Sequence, residues 1–134
     1  MKKLSRILLV DDSEADNFIH ARRIRRAGVA EEVVIKENGR EAMDYLATRV
    51  VSGHYPQPEL VFLDINMPVM NGWEFLEAYQ QLPAEQKAGI VVTMLTTSAA
   101  NTDRDKALQY DDIAAYLEKP LTEEKLLKII RENF

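Results

Sequence analysis

The stretch LVFLDINMP, residues Leu60 to Pro68, joins an apolar run to a carboxylate at Asp64. A continuous apolar run, rather than an alternating one, is typical of a strand whose two faces are both covered. Pro68 lacks the amide hydrogen that a central strand needs, so the strand has to end before it. A carboxylate at a strand end can simply be solvated or cap a turn. The function of Asp64 therefore depends on what the neighbouring strands place beside it.

Four further apolar runs alternate with segments of helical periodicity. They are Ile7–Val10, Val33–Ile35, Ile90–Leu95 and Ile113–Leu117. A helical segment follows each of the five runs, which predicts βαβ units and an α/β fold whose parallel sheet has helices on both faces. Residues that commonly cap helices mark the expected starts of four helices, with an acidic residue in the first turn of each. These caps are Ser13, Asn38, Asn71 and Thr122.

Composition restricts the class of protein. The 134 residues suit one domain spanning residues 1–134, and 46% hydrophobic with 29% charged residues is typical of a soluble globular chain. The net charge of −5 argues against a nucleic-acid partner, because phosphate backbones favour basic surfaces. The lack of cysteine excludes disulfides, thiolate metal sites and cysteine nucleophiles. No run approaches the roughly 18 apolar residues of a membrane span, so we expect a cytoplasmic protein without a membrane partner.

An open parallel sheet binds ligands beyond the carboxyl ends of its strands. Four of the five predicted strands end in polar groups that could serve such a site. They are Asp11 and Asp12 after the first strand, Asp64 after the third, Thr96, Thr97 and Ser98 at the fourth, and Lys119 with Pro120 after the fifth. Acids, hydroxyls and a lysine are therefore expected to meet at one edge of the sheet.

The acids of this edge predict a metal site. Carboxylates that share a pocket raise one another's pKa unless a cation neutralises them. The available ligand atoms are oxygens, which favours Mg²⁺ ahead of Ca²⁺. Asp12, Asp64 and the backbone carbonyl of Asn66 are the expected ligands. Asp11 is expected to act through water or by hydrogen bonding behind them.

A metal site beside a lysine and a hydroxyl is typical of phosphoryl transfer, which depends mostly on positioning and charge neutralisation. A carboxylate can serve as the nucleophile and become an aspartyl phosphate. Asp64 is the predicted nucleophile, because its strand and Pro68 hold it in the middle of the edge. Lys119 is expected to pair with one phosphate oxygen, and Thr96 to hydrogen-bond another.

The motifs that carry this chemistry extend over essentially the whole chain. They are ILLVDDS with Asp11 and Asp12, LVFLDINMPVMNGWEFL with Asp64, MLTTS with Thr96, and AYLEKP with Tyr116 and Lys119. In this order they resemble the receiver domain of two-component response regulators, specifically the single-domain, chemotaxis-type (CheY-like) members. The resemblance implies a doubly wound, flavodoxin-like sheet of five parallel strands in the order 2-1-3-4-5. The connections 53–58 and 83–89 look longer than in the smallest members.

The resemblance also implies a function. Asp64 would accept a phosphoryl group from a histidine kinase or a histidine phosphotransfer protein, with Mg²⁺ held by Asp12, Asp64 and the Asn66 carbonyl. Such a protein phosphorylates and dephosphorylates only itself, so it is a phosphoacceptor signalling protein rather than an enzyme. A protein effector is expected downstream, because the sequence offers no second domain that could bind a promoter.

A conformational switch is implied as well. Phosphorylation would draw Thr96 inward and let Tyr116 rotate into the vacated space, although Tyr116 can equally be a packing residue of its strand. A cis peptide is expected at Lys119–Pro120. The surface of the fourth helix, fifth strand and fifth helix would change, and there family members dock partners or dimerise.

Three other functions fit the predicted fold less well. A flavodoxin-like cofactor binder needs small hydroxyl and glycine residues after the first strand, where this chain has Asp-Asp-Ser-Glu. A phosphohydrolase of the haloacid-dehalogenase type needs an acid two residues after its nucleophile, where this chain has Asn66. A degenerate receiver that acts only as an interaction module would not need the full set of acids, hydroxyl and lysine.

Three further residues are expected to have structural roles only. His20 and His54 are expected to lie far from the acidic edge and to take no part in phosphotransfer. Trp73 is expected to be an exposed or half-exposed helix residue rather than a binding platform.

Overall fold

A single parallel sheet organises the computed structural model, which describes residues 3–50, 52–87, 89–97 and 100–134. Its strand order is β2-β1-β3-β4-β5, which confirms the doubly wound fold and the predicted 2-1-3-4-5 order. The strands are β1 Leu4–Val10, β2 Ala30–Lys36, β3 Leu60–Leu63, β4 Val91–Thr96 and β5 Ile113–Glu118. The helices are α1 Glu14–Ala27, α2 Gly39–Ala47, α3 Gly72–Gln80, α4 Ala84–Lys87, α5 Asn101–Leu108 and α6 Glu123–Asn133.

Successive residues of the strands enter two different cores, which is why their apolar runs are continuous. Along β1, Leu8 and Val10 pack on one face of the sheet, while Ile7 and Leu9 pack on the other. The first face is covered mainly by α2 and α3, through Ala42, Leu46, Phe75, Leu76 and Tyr79. The second face is covered by α1 and α6, through Ala21, Ile24, Leu126, Ile129 and Ile130.

The predicted caps begin their helices. Ser13 Oγ accepts a hydrogen bond from Asp16 N at 3.2 Å, and Asn38 Oδ1 accepts one from Glu41 N at 2.9 Å. Asn71 and Glu74 form a capping box, and Thr122 Oγ1 accepts from Lys125 N at 3.2 Å. Each cap satisfies an amide that the helix itself leaves unpaired.

The short helix α4 was not expected. It lies within the polar segment 83–89, which the sequence suggested was only a long connection. Pro83 precedes it, and the carbonyl of Pro83 accepts a hydrogen bond from Gln86 N at 2.9 Å. A single turn has too few residues to show helical periodicity, so the pattern could not reveal it. The fourth and fifth long helices are consequently α5 and α6.

The chain places β2 on one side of β1 and β3 on the other, so the order of the strands reverses at β1. This reversal opens a crevice at the carboxyl ends of β1 and β3. Val10 is paired with Leu63 across these two strands. Beyond the last pair, Asp64 N donates to the carbonyl of Val10 at 3.0 Å. The ladder thus continues to the first residue after β3 and holds the backbone of Asp64 beside the end of β1. Within the described ranges, no helix is long and apolar enough to span a membrane.

Candidate metal centre

Three carboxylates converge at the carboxyl ends of β1 and β3. Asp11, Asp12 and Asp64 each offer an oxygen, and these oxygens lie within 4.8 Å of one another. Asp11 and Asp64 are 5% and 7% exposed, whereas Asp12 faces solvent. The donor set is made entirely of oxygens and is open on the side of Asp12, so these residues fit a hard divalent cation that keeps some of its waters.

The ammonium of Lys119 lies among the acids. Its Nζ is 2.6 Å from Asp11 Oδ2, 2.8 Å from Asp16 Oδ2 and 3.4 Å from Asp64 Oδ2. Burial by itself would lower the pKa of Lys119, but hydrogen bonds to Asp11 and Asp16 and the charge of Asp64 outweigh it and raise that pKa. Lys119 is therefore a permanent cation that offsets part of the negative charge.

Asp11 is held by protein donors through both of its oxygens. Oδ1 accepts from Ser13 N at 2.9 Å, and Oδ2 contacts Lys119. Burial raises the pKa of the Asp11 carboxyl, and the two hydrogen bonds act against that rise. This engagement is what the predicted supporting role of Asp11 behind the metal ligands requires, and that role stays a prediction.

Asp64 is oriented by its own loop. Its Oδ1 accepts a hydrogen bond from Ile65 N at 2.8 Å, while Oδ2 has the longer contact with Lys119. One oxygen is thus fixed by the backbone, and the other points toward the cation. Asn66 follows two residues later on the same loop and is exposed; its carbonyl as a metal ligand stays a prediction.

A close contact between α3 and the Asp64 loop requires a glycine. A Cβ added to Gly72 would lie 2.4 Å from the carbonyl oxygen of Asp64 and 2.9 Å from Cα of Ile65. These are backbone atoms, which cannot move aside without displacing the loop. Gly72 therefore lets the start of α3 press against the segment that carries Asp64.

The predicted switch residues lie on β4 and β5. Thr96 is fully buried at the end of β4, and its carbonyl accepts a hydrogen bond from Lys119 N at 2.8 Å. Tyr116 is buried in the core of the α2 and α3 face, opposite Met94. The packing role of Tyr116 is thus present in this conformation, and its rotation stays a prediction. Thr97 is exposed, and Ser98 lies outside the described residues.

The loop after β5 has the expected conformation, since the Lys119–Pro120 peptide is cis. Its next residue, Leu121, is fully buried. Leu121 N donates to His20 Nε2 at 3.2 Å, and the Leu121 carbonyl accepts from Arg23 Nη1 at 2.9 Å. The loop between β5 and α6 that carries Lys119, here called the lysine loop, is therefore held against α1 by hydrogen bonds.

Sequence reasoning missed Asp16 and was wrong about His20. Asp16 looked like an ordinary acid in the first turn of a helix, but it forms an ion pair with Lys119. His20 was expected far from the edge, yet it is 3% exposed and binds the lysine loop. The available signal was spacing, because Asp16 and His20 are four residues apart and share a helix face. His54 lies exposed before β3, at the opposite end of that strand from Asp64.

Trp73 matches the expectation of a half-exposed residue. Its ring stacks on Tyr110 with centroids 6.3 Å apart and an angle of 22° between the planes. The ammonium of Lys106 lies 4.4 Å from the centroid of the Trp73 ring. These contacts join α3 to α5 and to the turn that follows α5, so Trp73 has a packing role.

Burial of His20 predicts that stability depends on pH. Burial lowers the pKa of His20 from its ordinary value of 6.5, and the charge of Asp16 acts against this. The unfolded chain therefore takes up a proton at higher pH than the folded protein, and the free energy of unfolding falls as the pH drops below about 6.5. His20→Gln, whose amide oxygen can still accept from Leu121 N, should flatten this slope in urea unfolding between pH 7 and 5. His54→Gln is the matched control, and equal slopes in His20→Gln and the unmodified protein would contradict the prediction.

Comparison with known proteins agrees with this architecture. The sequence model of one protein family, the response regulator receiver domain, matches residues 7–131 of this chain. Two-component response regulator 24 of Arabidopsis thaliana is 34% identical over 129 residues, which cover 95% of this chain and 83% of that protein. A crystal structure of a two-component response regulator from Cytophaga hutchinsonii has a TM-score of 0.87 at 30% identity, covering 98% of this chain and 97% of that one.

A third comparison concerns metal binding. The crystal structure of the Mn²⁺-bound form of response regulator Rcp1 has a TM-score of 0.73 at 30% identity, and it covers 96% of this chain and 90% of that one. A relative of this fold thus binds a divalent cation, and the three-carboxylate cluster here could bind one too. From its sequence match, its sheet and the acids at the edge of that sheet, this chain belongs to the response regulator receiver domain family.

Proposed function

We propose that residues 1–134 form a receiver that takes a phosphoryl group onto Asp64 in a Mg²⁺-dependent reaction. The donor is a phosphohistidine of a histidine kinase or of a histidine phosphotransfer protein. The observation that supports this most is the setting of Asp64, whose Oδ2 lies 3.4 Å from a buried ammonium and beside two further carboxylates. A strand end that only needed solvation would not require such a setting.

The residues divide the chemistry among them. Oδ2 of Asp64 attacks phosphorus, the new P–O bond forms as the P–N bond of the donor breaks, and the donor nitrogen keeps the electron pair. The hydrogen bond from Ile65 N to Oδ1 orients the carboxylate for this attack. Lys119 offsets charge on the phosphoryl oxygens, and Thr96 donates a hydrogen bond to one of them. A Mg²⁺ ion held by Asp12, Asp64 and the Asn66 carbonyl would supply further charge neutralisation.

The product is an acyl phosphate on the protein itself, so the proposed activity is that of a signalling protein rather than an enzyme with a separate substrate. Its hydrolysis returns the chain to the resting state. The amide side chain of Asn66, two residues after Asp64, offers no general base at the position that a phosphohydrolase would use.

The proposed output is a change of the α5, β5 and α6 surface. A groove of about 530 Å³ lies between these elements and is lined in part by Arg104, Tyr116 and Lys125. Tyr116 belongs to this groove as well as to the core, so its rotation would alter both. A protein effector or a second copy of the chain would bind there, and nucleic acid would not be contacted directly.

Intact mass spectrometry after incubation with acetyl phosphate tests the proposal. We expect a single phosphoryl adduct that requires Mg²⁺ and disappears with excess EDTA. Asp12→Ala should raise the Mg²⁺ concentration needed for half-maximal labelling by about tenfold or more, because it removes a direct ligand. Glu14→Ala removes an exposed acid two residues away and should leave that concentration nearly unchanged. Equal labelling with and without Mg²⁺, or none under conditions that label another receiver, would contradict the proposal.

A further inference from the structure

One face of α1 binds the loop that carries the catalytic lysine. Asp16, His20 and Arg23 follow one another at spacings of four and three residues and therefore lie on the same side of the helix. Asp16 binds the Lys119 ammonium, His20 accepts from Leu121 N, and Arg23 donates to the Leu121 carbonyl. Both backbone polar groups of Leu121 are thus held by α1.

This arrangement restricts what Lys119 can do when Asp64 changes its charge. The backbone on one side is fixed by Lys119 N bound to Thr96 O, and on the other side by Leu121 bound to α1. The remaining freedom is that of the lysine side chain. A movement of the ammonium from Asp16 toward Asp64 therefore needs only rotation of the lysine side chain. In the present structure Lys119 Nζ lies 2.8 Å from Asp16 Oδ2 and 3.4 Å from Asp64 Oδ2.

Asp16 differs from the other acids that surround the ammonium. Its side chain is 36% exposed, whereas those of Asp11 and Asp64 are 7% and 9% exposed. It also lies outside the group of three carboxylates that could hold a metal. Its hydrogen bond with Lys119 is the largest cause of a lowered pKa, so the Asp16 carboxylate stays ionised beside the ammonium. Solvent access makes Asp16 the carboxylate that can lose the ammonium at the lowest cost in free energy.

We propose that Asp16 competes with the phosphorylation site for Lys119. In the resting protein Asp16 holds the ammonium on the α1 side of the pocket. A phosphoryl group on Asp64 carries more negative charge than the carboxylate it replaces and draws the ammonium away, which leaves Asp16 to solvent. Asp16 is in this sense a positioning residue, and the inference rests on the proposed phosphorylation of Asp64.

Because of this competition, the charge on the surface of α1 depends on whether Asp64 is phosphorylated. The first turn of α1 gains an uncompensated negative charge when Lys119 leaves Asp16. The surface next to the pocket therefore differs in charge between the resting and phosphorylated states, even if α1 itself does not move.

Beryllofluoride, which adds to carboxylates as a phosphoryl analogue, allows a direct test on the intact protein. With Mg²⁺ present, we expect the ¹³C resonance of the Asp16 side-chain carboxyl to shift on beryllofluoride addition, as it loses its ion pair. The same carboxyl in a Lys119→Ala protein should show little further shift. An unchanged Asp16 resonance in a protein whose Asp64 has taken up beryllofluoride would overturn this inference alone. A protein that takes up no beryllofluoride would overturn the proposed function as well.

The affinity of the protein for beryllofluoride provides a second test of the competition. Asp16→Asn should bind beryllofluoride about two- to fivefold more tightly in calorimetry, the range expected from removing a partly exposed ion pair. Glu14→Gln makes the same charge change in the same helical turn, on an exposed side chain, and should bind like the unmodified protein. Asp16→Glu keeps the anion and should remain closer to the unmodified protein than Asp16→Asn does. Equal affinity of Asp16→Asn and Glu14→Gln would show a general charge effect and overturn the competition.

Discussion

Asp64→Asn is expected to abolish the phosphoryl adduct while leaving the protein folded. The asparagine amide oxygen can still accept the hydrogen bond that Ile65 N now donates to Asp64 Oδ1, so the loop keeps its anchor. The amide is not a nucleophile, because its nitrogen lone pair is delocalised and its oxygen carries no full charge. Removing a covalent nucleophile costs several orders of magnitude in rate, so labelling should fall by about a thousandfold or more.

The folded state should tolerate this change. The substitution removes one of three mutually repelling carboxylates, which is favourable, and also a 3.4 Å contact with Lys119, which is unfavourable. These effects oppose each other, and we expect the free energy of unfolding to change by no more than about 1 kcal/mol. Urea unfolding of Asp64→Asn beside the unmodified protein checks this.

The matched control for labelling is Asp44→Asn. Asp44 is an exposed acid of α2, 3.7 Å from Arg40, and lies outside the pocket. This variant should label at the rate of the unmodified protein. An adduct that persists in Asp64→Asn would move the acceptor to another residue, and peptide mapping would identify it.

The strands and the acidic edge could be predicted because they depend on local features. The bounds of β3 agree with the apolar run Leu60–Leu63, since both faces of this central strand are buried. The edge strand β2 is longer than the predicted Val33–Ile35, because Ala30 and Glu32 also pair with β1, although Glu32 faces solvent. Pairing extends a strand beyond its apolar residues, and the sequence pattern does not record it.

The part of the site supplied by α1 could not be predicted from local features. Asp16 and Lys119 are 103 residues apart, and their contact depends on where α1 crosses the loop after β5. Helical spacing shows that Asp16, His20 and Arg23 share a face, but it does not show what that face contacts. The acids at strand ends converge in any parallel sheet, whereas a helix can be rotated or shifted over the sheet. This is the physical reason why His20 was wrongly expected to be remote from the site.

Lys119→Ala should have the largest effect on stability of the changes considered. It removes the cation shared by Asp11, Asp16 and Asp64, and leaves two buried carboxylates without a counter-charge. Breaking a buried ion pair in this way costs about 3–5 kcal/mol, and we expect the lower end, about 3 kcal/mol, because Asp16 can be solvated. The measurement is urea unfolding at pH 7 in EDTA. Lys128→Ala, which removes an exposed partner of Glu132 at 4.0 Å, is the control and should cost less than about 0.5 kcal/mol.

The pH dependence of this variant identifies the cause of the loss. Burial raises the pKa of Asp11 above its ordinary value of 3.8, and in the unmodified protein the hydrogen bond to Lys119 opposes that rise. Without Lys119 the pKa of Asp11 rises further, so the folded variant binds a proton at a pH where the unfolded chain does not. Its free energy of unfolding should therefore recover, relative to the unmodified protein, as the pH falls from 7 toward 4. Added Mg²⁺ should recover stability at pH 7 for the same electrostatic reason.

Labelling and switching should separate in Lys119→Ala. Asp64 and its metal ligands remain, so acetyl phosphate should still label the variant, but slowly. The phosphorylated variant lacks the cation that links the phosphoryl group to the loop between β5 and α6, so its partner-binding surface should stay in the resting state. Equal partner binding by the labelled and unlabelled variant is the expected result. A stability loss no larger than that of Lys128→Ala, or a full switch on labelling, would mean that Lys119 neither neutralises the buried acids nor transmits the charge of the phosphoryl group.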